Sequence, residues 1–274
     1  MSLPTFLGIG VPRAGTTWMA SILDSHPEVY IAPGKEIFFF NRYYDRQLQW
    51  YETLFPREIE ATSYKALGEF TPEYLYCRAC PERIAQVPSI TKLILSVRNP
   101  IDRLYSHYGL RVRSSNYNKP FESFLTPEMI DLGFYSRHIT NYLRYFKREQ
   151  LLILVFEQSI AKASAQTRAI IAGFLGLNIE CFPSISGTAD INRSYVPKAQ
   201  VAFNIYARVM QLLLKWRQHR LVKLIRRLHP ERLFGEAGPL PPMKYETRQY
   251  LRDRYKAEIK EMMSILQMDL SFWE

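Results

Sequence analysis

The sequence predicts an α/β fold of three layers, a central parallel sheet flanked by helices. Two observations carry this. Short continuous apolar runs at Phe6–Ile9, Leu93–Val97 and Leu151–Phe156 have the length and composition of strands buried on both faces. Amphipathic stretches separate them, and that alternation builds parallel sheets through helical crossovers.

Along the chain, the first run leads into a helix at Thr17–Leu23, followed by a second strand at Val29–Ala32. Pro100–Val112 reads as the helix after the Leu93–Val97 strand, and Phe134–Phe146 as the helix before Leu151–Phe156. Near the end, Tyr250, Leu251, Tyr255, Ile259, Met262, Met263 and Leu266 recur at helical spacing, which predicts a helix over Tyr245–Leu266. No repeat or low-complexity linker breaks this order, and 274 residues fit one core, so residues 1–274 read as a single domain. Residues 199–232 form a basic helical segment, in which Arg208, Lys215, Arg217, Arg220, Lys223, Arg226 and Arg227 occur with no acidic residue across Ala199–Leu228. Two readings stand: a helix packed on the domain with solvated cations outside, or a basic lid that gathers an anionic or amphipathic acceptor at a membrane surface.

With 47% hydrophobic and 14% aromatic residues, the composition is that of a folded, enzyme-sized protein and excludes a disordered or fibrous one. Lysine and arginine outnumber aspartate and glutamate 36 to 26, and the net charge of +10 favours anionic partners: nucleic acid, phospholipid, anionic sugars or phosphorylated cofactors. Cys77, Cys80 and Cys181 cannot make a disulfide framework, and Cys77 with Cys80 lacks the second ligand pair of a structural zinc site, so all three read as free thiols. No stretch approaches the ~20 apolar residues that span a bilayer, and no basic region followed by an apolar core opens the chain. A soluble, cytoplasmic protein is expected.

Phe6-Leu7-Gly8-Ile9-Gly10 runs into Val11-Pro12-Arg13-Ala14-Gly15-Thr16-Thr17-Trp18: a strand, a glycine-bounded loop and a helix start. Glycines let the backbone approach an anion, successive N–H groups converge on its oxygens, and the positive end of the helix dipole adds attraction. An ordinary strand-to-helix turn is the alternative. Gly10 and Gly15 keep the spacing of the nucleoside-triphosphate loop G-x-x-x-x-G-K-[ST], but Thr16 stands where that motif has lysine, and the cation is Arg13. This argues against triphosphate chemistry and for a 5′-phosphate or phosphosulfate. The stretch resembles the 5′-phosphosulfate loop of sulfotransferases that use 3′-phosphoadenosine 5′-phosphosulfate (PAPS). The resemblance implies a P-loop NTPase-like form of the fold, with Arg13, Ala14, Gly15, Thr16, Thr17 and Trp18 on the donor. Many relatives carry lysine at the position of Arg13; arginine keeps the charge and can fork onto two oxygens, but it is bulkier and a poor proton donor.

The strand Lys92–Val97 ends in Arg98, and Asn99-Pro100-Ile101-Asp102-Arg103-Leu104-Tyr105-Ser106 follows. In open α/β sheets the ligand crevice lies at such strand ends. Arg98 can present two donors to a phosphate and Ser106 a hydroxyl. The order R-[ND]-P-x-[DE]-R-x-x-S-x-Y, met by Arg98, Asn99, Pro100, Asp102, Arg103, Ser106 and Tyr108, is similar to the 3′-phosphate segment of the same sulfotransferases. That group is absent from ATP and GTP.

The resemblance implies an enzyme that moves a sulfuryl group from PAPS to a hydroxyl or amine by in-line displacement, leaving adenosine 3′,5′-bisphosphate (PAP) and requiring no metal. Such a reaction needs a base for the acceptor proton and a cation for the charge on the leaving oxygen. Lys35-Glu36-Ile37-Phe38-Phe39-Phe40 is similar to the K-E-x-x-F-F segment of heparan-type and bacterial sulfotransferases, which assigns Glu36 as the base and Lys35, with Arg13, as charge stabilisers. A solvated Lys-Glu pair is the alternative.

Gly68-Glu69-Phe70-Thr71-Pro72-Glu73-Tyr74 resembles an acceptor-side segment in which some members carry lysine at the position of Phe70; Glu69 is a second candidate carboxylate. His26 is a further base candidate, read as capping or packing. Gly133-Phe134-Tyr135-Ser136-Arg137-His138 resembles the family's G-x-Y-x-x-H segment, which makes Tyr135 and His138 acceptor-lining candidates. Asn192–Lys198 is similar to the late loop that closes over the donor, with Lys198 as its contact.

The expected acceptor is a small molecule, lipid or carbohydrate; nucleic acid is not expected, and peripheral membrane contact would run through the basic segment. Competing readings are a P-loop kinase, opposed by the missing lysine, and a binding module whose basic surface holds nucleic acid or lipid.

Overall fold

The computed structural model describes residues 2–34, 36–115, 117, 119–162, 165–182, 209–210, 225, 240 and 242–274. Lys35, the 192–198 loop with Lys198, and all but three residues of the basic 199–232 segment lie outside the described residues.

Five parallel strands make one sheet: β1 (Phe6–Gly10), β2 (Val29–Ile31), β3 (Ala66–Phe70), β4 (Lys92–Val97) and β5 (Leu151–Val155), in spatial order β2-β3-β1-β4-β5. Every residue of β1 and β3 is buried, the reason the apolar runs are continuous and not alternating. β3 escapes sequence reading because Gly68 and Glu69 interrupt its apolar run.

The main helices are α1 (Thr16–Asp24), α2 (Cys80–Ala85), α3 (Pro100–Ser115), α4 (Tyr135–Tyr142), α5 (Ala165–Leu175) and α6 (Tyr245–Leu266). Side chains alternate across a strand, so each strand feeds two cores. Phe6, Ile94 and Leu154 pack with Trp18, Met19 and Ile22 of α1 and Ile171 of α5 on one face. Leu7, Leu93, Leu95 and Ile153 pack with Leu104 of α3, Ile139 of α4 and Leu251 and Ile259 of α6 on the other. This is the three-layer α/β arrangement expected. The helix anticipated over Phe134–Phe146 is shorter, because Tyr145 and Phe146 both donate to the Tyr142 carbonyl at 3.0 Å and close the chain into a tight turn.

This order positions the site. After β1 the chain passes to the α1 face, and after β4 to the α3 face, so the carboxyl ends of β1 and β4 flank a topological switch point, where open α/β sheets hold their ligands. At the start of α1, Gly15 has φ 83° and a Cβ there would lie 2.5 Å from Ile160 Cγ2, so only glycine fits.

Candidate active site

Across the switch point lies a cleft of about 350 Å³ lined by Arg13, Gly15, Thr16, Thr17, Arg98, Asp102, Tyr105, Ser106, Phe156 and Leu240. It joins the two phosphate anchors read from the sequence. Arg13 Nε donates to Ser106 Oγ at 3.2 Å, and the Arg13 carbonyl accepts from Arg98 Nη1 at 3.1 Å, tying loop, strand end and helix together. The Arg98 guanidinium also stacks 4.5 Å over the Phe156 ring.

Burial first, then the charges of Arg113 and Arg98, pull Arg13 down to about 10, and burial likewise lowers Arg98. Both remain cations at neutral pH. Two desolvated like charges in one cleft are costly unless an anion joins them. Arg98 Nε is moreover buried without a partner, an orphaned donor that a multi-oxygen anion would satisfy. The cleft thus fits a phosphorylated ligand.

Two predicted donor contacts are not brought to the cleft. Ala14 is fully buried, its carbonyl accepting from Ser96 Oγ at 2.6 Å and its amide donating to the Val11 carbonyl at 3.2 Å. Trp18 is 3% exposed and packs in the α1 core. Their spacing in the loop is right, but the loop's bonds to Val11 and Ser96 turn Ala14 inward and α1 turns Trp18 into its core.

Tyr135 is a correction as well: it is fully buried, and its hydroxyl donates to the Arg98 carbonyl at 3.0 Å, so it props the end of β4 and does not line an open surface. The same turn is held by residues the sequence reading missed. Asn99 N–H donates to Glu157 Oε1 at 2.9 Å, Asn99 Nδ2 to the Trp273 carbonyl at 2.9 Å, and Trp273 Nε1 to Glu157 Oε2 at 3.1 Å. Glu157 stands two residues past the end of β5, so the strand-end rule could have found it; Trp273 carries no local signal.

On the other side of β1, Glu36 stands at the carboxyl end of β3. Its N–H donates to the Phe70 carbonyl at 2.9 Å, and its side chain is half-buried. Arg13, Glu36 and Phe38 have φ of 74°, 76° and 59°, left-handed conformations that non-glycine residues adopt at a cost and that gather at functional sites. Lys35 is outside the described residues.

Glu69, on β3 beside Leu7, is fully buried and accepts from Thr71 Oγ1 at 2.8 Å and Tyr51 hydroxyl at 3.3 Å. It faces the core behind Glu36 and touches no open surface, which corrects its reading as a substrate contact. Burial lifts its carboxyl to about 7 against the pull of its hydrogen bonds, and the Glu36 charge adds to the rise.

His138 is likewise away from the cleft. Its ring meets Tyr76 edge-on at 5.2 Å and Arg137 Nε donates to its Nε2 at 3.2 Å; burial and then Arg137 push it down to about 4, a neutral packing residue. His26 is 2% exposed, its Nδ1 accepting from Glu28 N–H at 3.2 Å and its Nε2 2.9 Å from the Asn178 carbonyl, the packing role expected of it.

Comparison with known proteins decides the identity of this arrangement. The model of the sulfotransferase domain matches residues 3–197. The chain belongs to the sulfotransferase family. Over 186 residues this sulfotransferase is 34% identical to human heparan sulfate glucosamine 3-O-sulfotransferase 3B1, covering 64% of this chain and 46% of that protein. Over 215 residues it is 30% identical to the mouse bifunctional heparan sulfate N-deacetylase/N-sulfotransferase 3, covering 70% of this chain and 24% of that one. The chain spans about half the length, or less, of these curated relatives. A crystal structure of a sulfotransferase from Alicyclobacillus acidocaldarius shares the fold, with a TM-score of 0.71, 22% identity, and coverage of 100% of this chain and 99% of that one.

Among the described residues of the sulfotransferase, no group of three or more His, Cys, Asp and Glu side chains is placed to hold a metal, and no helix is long and apolar enough to cross a membrane. The carboxyl pair gives a testable pH signature. In the folded protein Glu69 keeps its proton to about 7, against 4.5 ordinarily, so its contribution to stability is full below about 4.5 and is lost as pH rises through about 7. Glu69→Gln has no proton to lose. Urea unfolding at pH 5 and pH 8 should show the variant gaining about 2–3 kcal/mol on the parent between the two; parallel curves would mean that Glu69 is not a buried neutral acid.

Proposed function

We propose that this sulfotransferase moves a sulfuryl group from PAPS to a hydroxyl or amine of a carbohydrate or other small acceptor, with Glu36 as the base. The observation that carries the donor is the shared cleft: Arg13 and Arg98, both desolvated, meet there with Ser106, and Arg98 Nε lacks a partner. Gly15, Thr16 and Thr17, at the positive end of α1, with Arg13, would hold the 5′-phosphosulfate; Arg98 and Ser106 would hold the 3′-phosphate. The donor, when bound, supplies an activated sulfuryl group and a bisphosphate leaving group.

The protein's part is positioning and charge. Arg13 stays protonated at neutral pH, so it stabilises negative charge on the leaving oxygen and delivers no proton. Glu36 takes the acceptor proton at its carboxylate, held at the carboxyl end of β3, the strand next to β1. Burial holds the proton on Glu69 behind it up to about 7, which lessens a second charge at the same place. A carbohydrate acceptor is supported by the names of the relatives, which act on heparan sulfate.

Thermal unfolding with metal-free PAP, with ATP plus magnesium, and with an oligonucleotide tests the reading. PAP at a hundred times its Kd should stabilise the protein by about 2.7 kcal/mol, with smaller shifts for the other two. Equal or greater stabilisation by ATP or the oligonucleotide would replace it with the kinase or the binding-module reading.

A further inference from the structure

Behind the acceptor side, Cys77 and Cys80 occupy the turn that opens α2. The Cys80 N–H donates to the Cys77 carbonyl at 3.2 Å. A turn closed in this way brings its first and fourth Cα atoms within about 7 Å, and a disulfide spans about 4.4–6.8 Å between Cα atoms. Cys80 is fully buried, whereas Cys77 is half-buried and open to attack from solvent. We propose that Cys77 and Cys80 form a reversible disulfide by exchange with a low-molecular-weight disulfide, which makes this turn a redox site of the protein. The free-thiol reading of the sequence rested on the absence of a second cysteine pair for a metal; the turn gives the first pair a use of its own.

The environment assigns the two roles. The hydrogen bond from Cys80, the amides of Cys80 and Ala79, and the Arg83 charge draw Cys77 toward the thiolate, while the same contact and burial keep the proton on Cys80. Thiolate is the nucleophile in exchange. Cys77 Sγ attacks one sulfur of the external disulfide, a Cys77–sulfur bond forms, and the first external thiolate leaves and is protonated by water. Cys80 Sγ, giving its proton to water, then attacks Cys77 Sγ, and the second external thiolate leaves. Two protein thiols are oxidised to one disulfide and one external disulfide is reduced to two thiols, so the electrons balance.

The turn is tied to the core beside α4. Cys77 N–H donates to the Tyr74 carbonyl at 3.2 Å, which also accepts from the Tyr142 hydroxyl at 2.9 Å. Arg83 of α2, Tyr142 of α4 and Glu69 of β3 are the titratable and charged groups that face the sulfur pair.

The full chain is incubated in mixtures of reduced and oxidised glutathione, quenched in acid, alkylated and mapped by peptide mass spectrometry. The peptide spanning Cys77 and Cys80 should escape alkylation and be two hydrogens lighter than the free dithiol, reversibly, as the mixture is made more oxidising. Cys80→Ser should stop at one glutathione on Cys77, Cys77→Ser should give neither product in that peptide, and Cys181→Ser should behave as the parent. A stable glutathione adduct in the parent, a bridge to Cys181, or no change in any mixture would overturn the proposal. One readout needs no variant: iodoacetamide should label Cys77 with a half-maximal rate below the ~8.5 of an ordinary thiol, and a midpoint at or above that value would also overturn it.

Discussion

Glu36→Gln should lower turnover by ~10²–10⁴-fold at saturating donor and acceptor, the range associated with a positioned general base, while PAP affinity stays near that of the parent. The substitution keeps shape and removes the carboxylate proposed to take the acceptor proton. Glu36 is suited to this because its left-handed backbone and its amide bond to the Phe70 carbonyl hold it at the end of β3, half-buried and outside the donor cleft lining. A loss confined to kcat marks an interaction made in the transition state, and a loss confined to KM marks acceptor binding. Near-parent turnover would remove Glu36 as base. Glu69 could not simply replace it, since it is fully buried and holds its own proton to about 7.

Arg98→Ala should weaken PAP by about 10–100-fold, because hydrogen bonds to charged groups contribute about 1.5–3 kcal/mol and 1.4 kcal/mol is tenfold in affinity. Adenosine 5′-phosphate should lose much less. The difference between the two ligands is the informative quantity, because Arg98 has a second duty: its Nη1 supports the Arg13 carbonyl, and its guanidinium covers Phe156. Collapse of the loop would weaken both ligands alike, whereas loss of a 3′-phosphate contact weakens only PAP. Calorimetry with both ligands separates the cases, and equal losses would reassign Arg98 to loop support.

Sequence alone determined the three-layer α/β class, four of the five strands, α6 to the residue, and six residues that meet in the cleft at the switch point, Arg13, Gly15, Thr16, Thr17, Arg98 and Ser106. These were legible because their physics is local: continuous apolar runs report strands buried on both faces, and a phosphate cradle needs glycines and cations at short spacing near a helix start. Tertiary structure decided the rest. β3 hides a buried carboxyl in a strand, and no local rule places a glutamate inside a core until Tyr51 and Thr71 are seen to satisfy it. Tyr135 and His138 carry a family pattern, yet packing turns one onto the Arg98 carbonyl and the other against Tyr76. Trp273 reaches Asn99 across 174 residues of sequence. Burial and direction of a side chain depend on neighbours distant in sequence, and those neighbours exist only once the sheet has closed and the helices have covered its two faces.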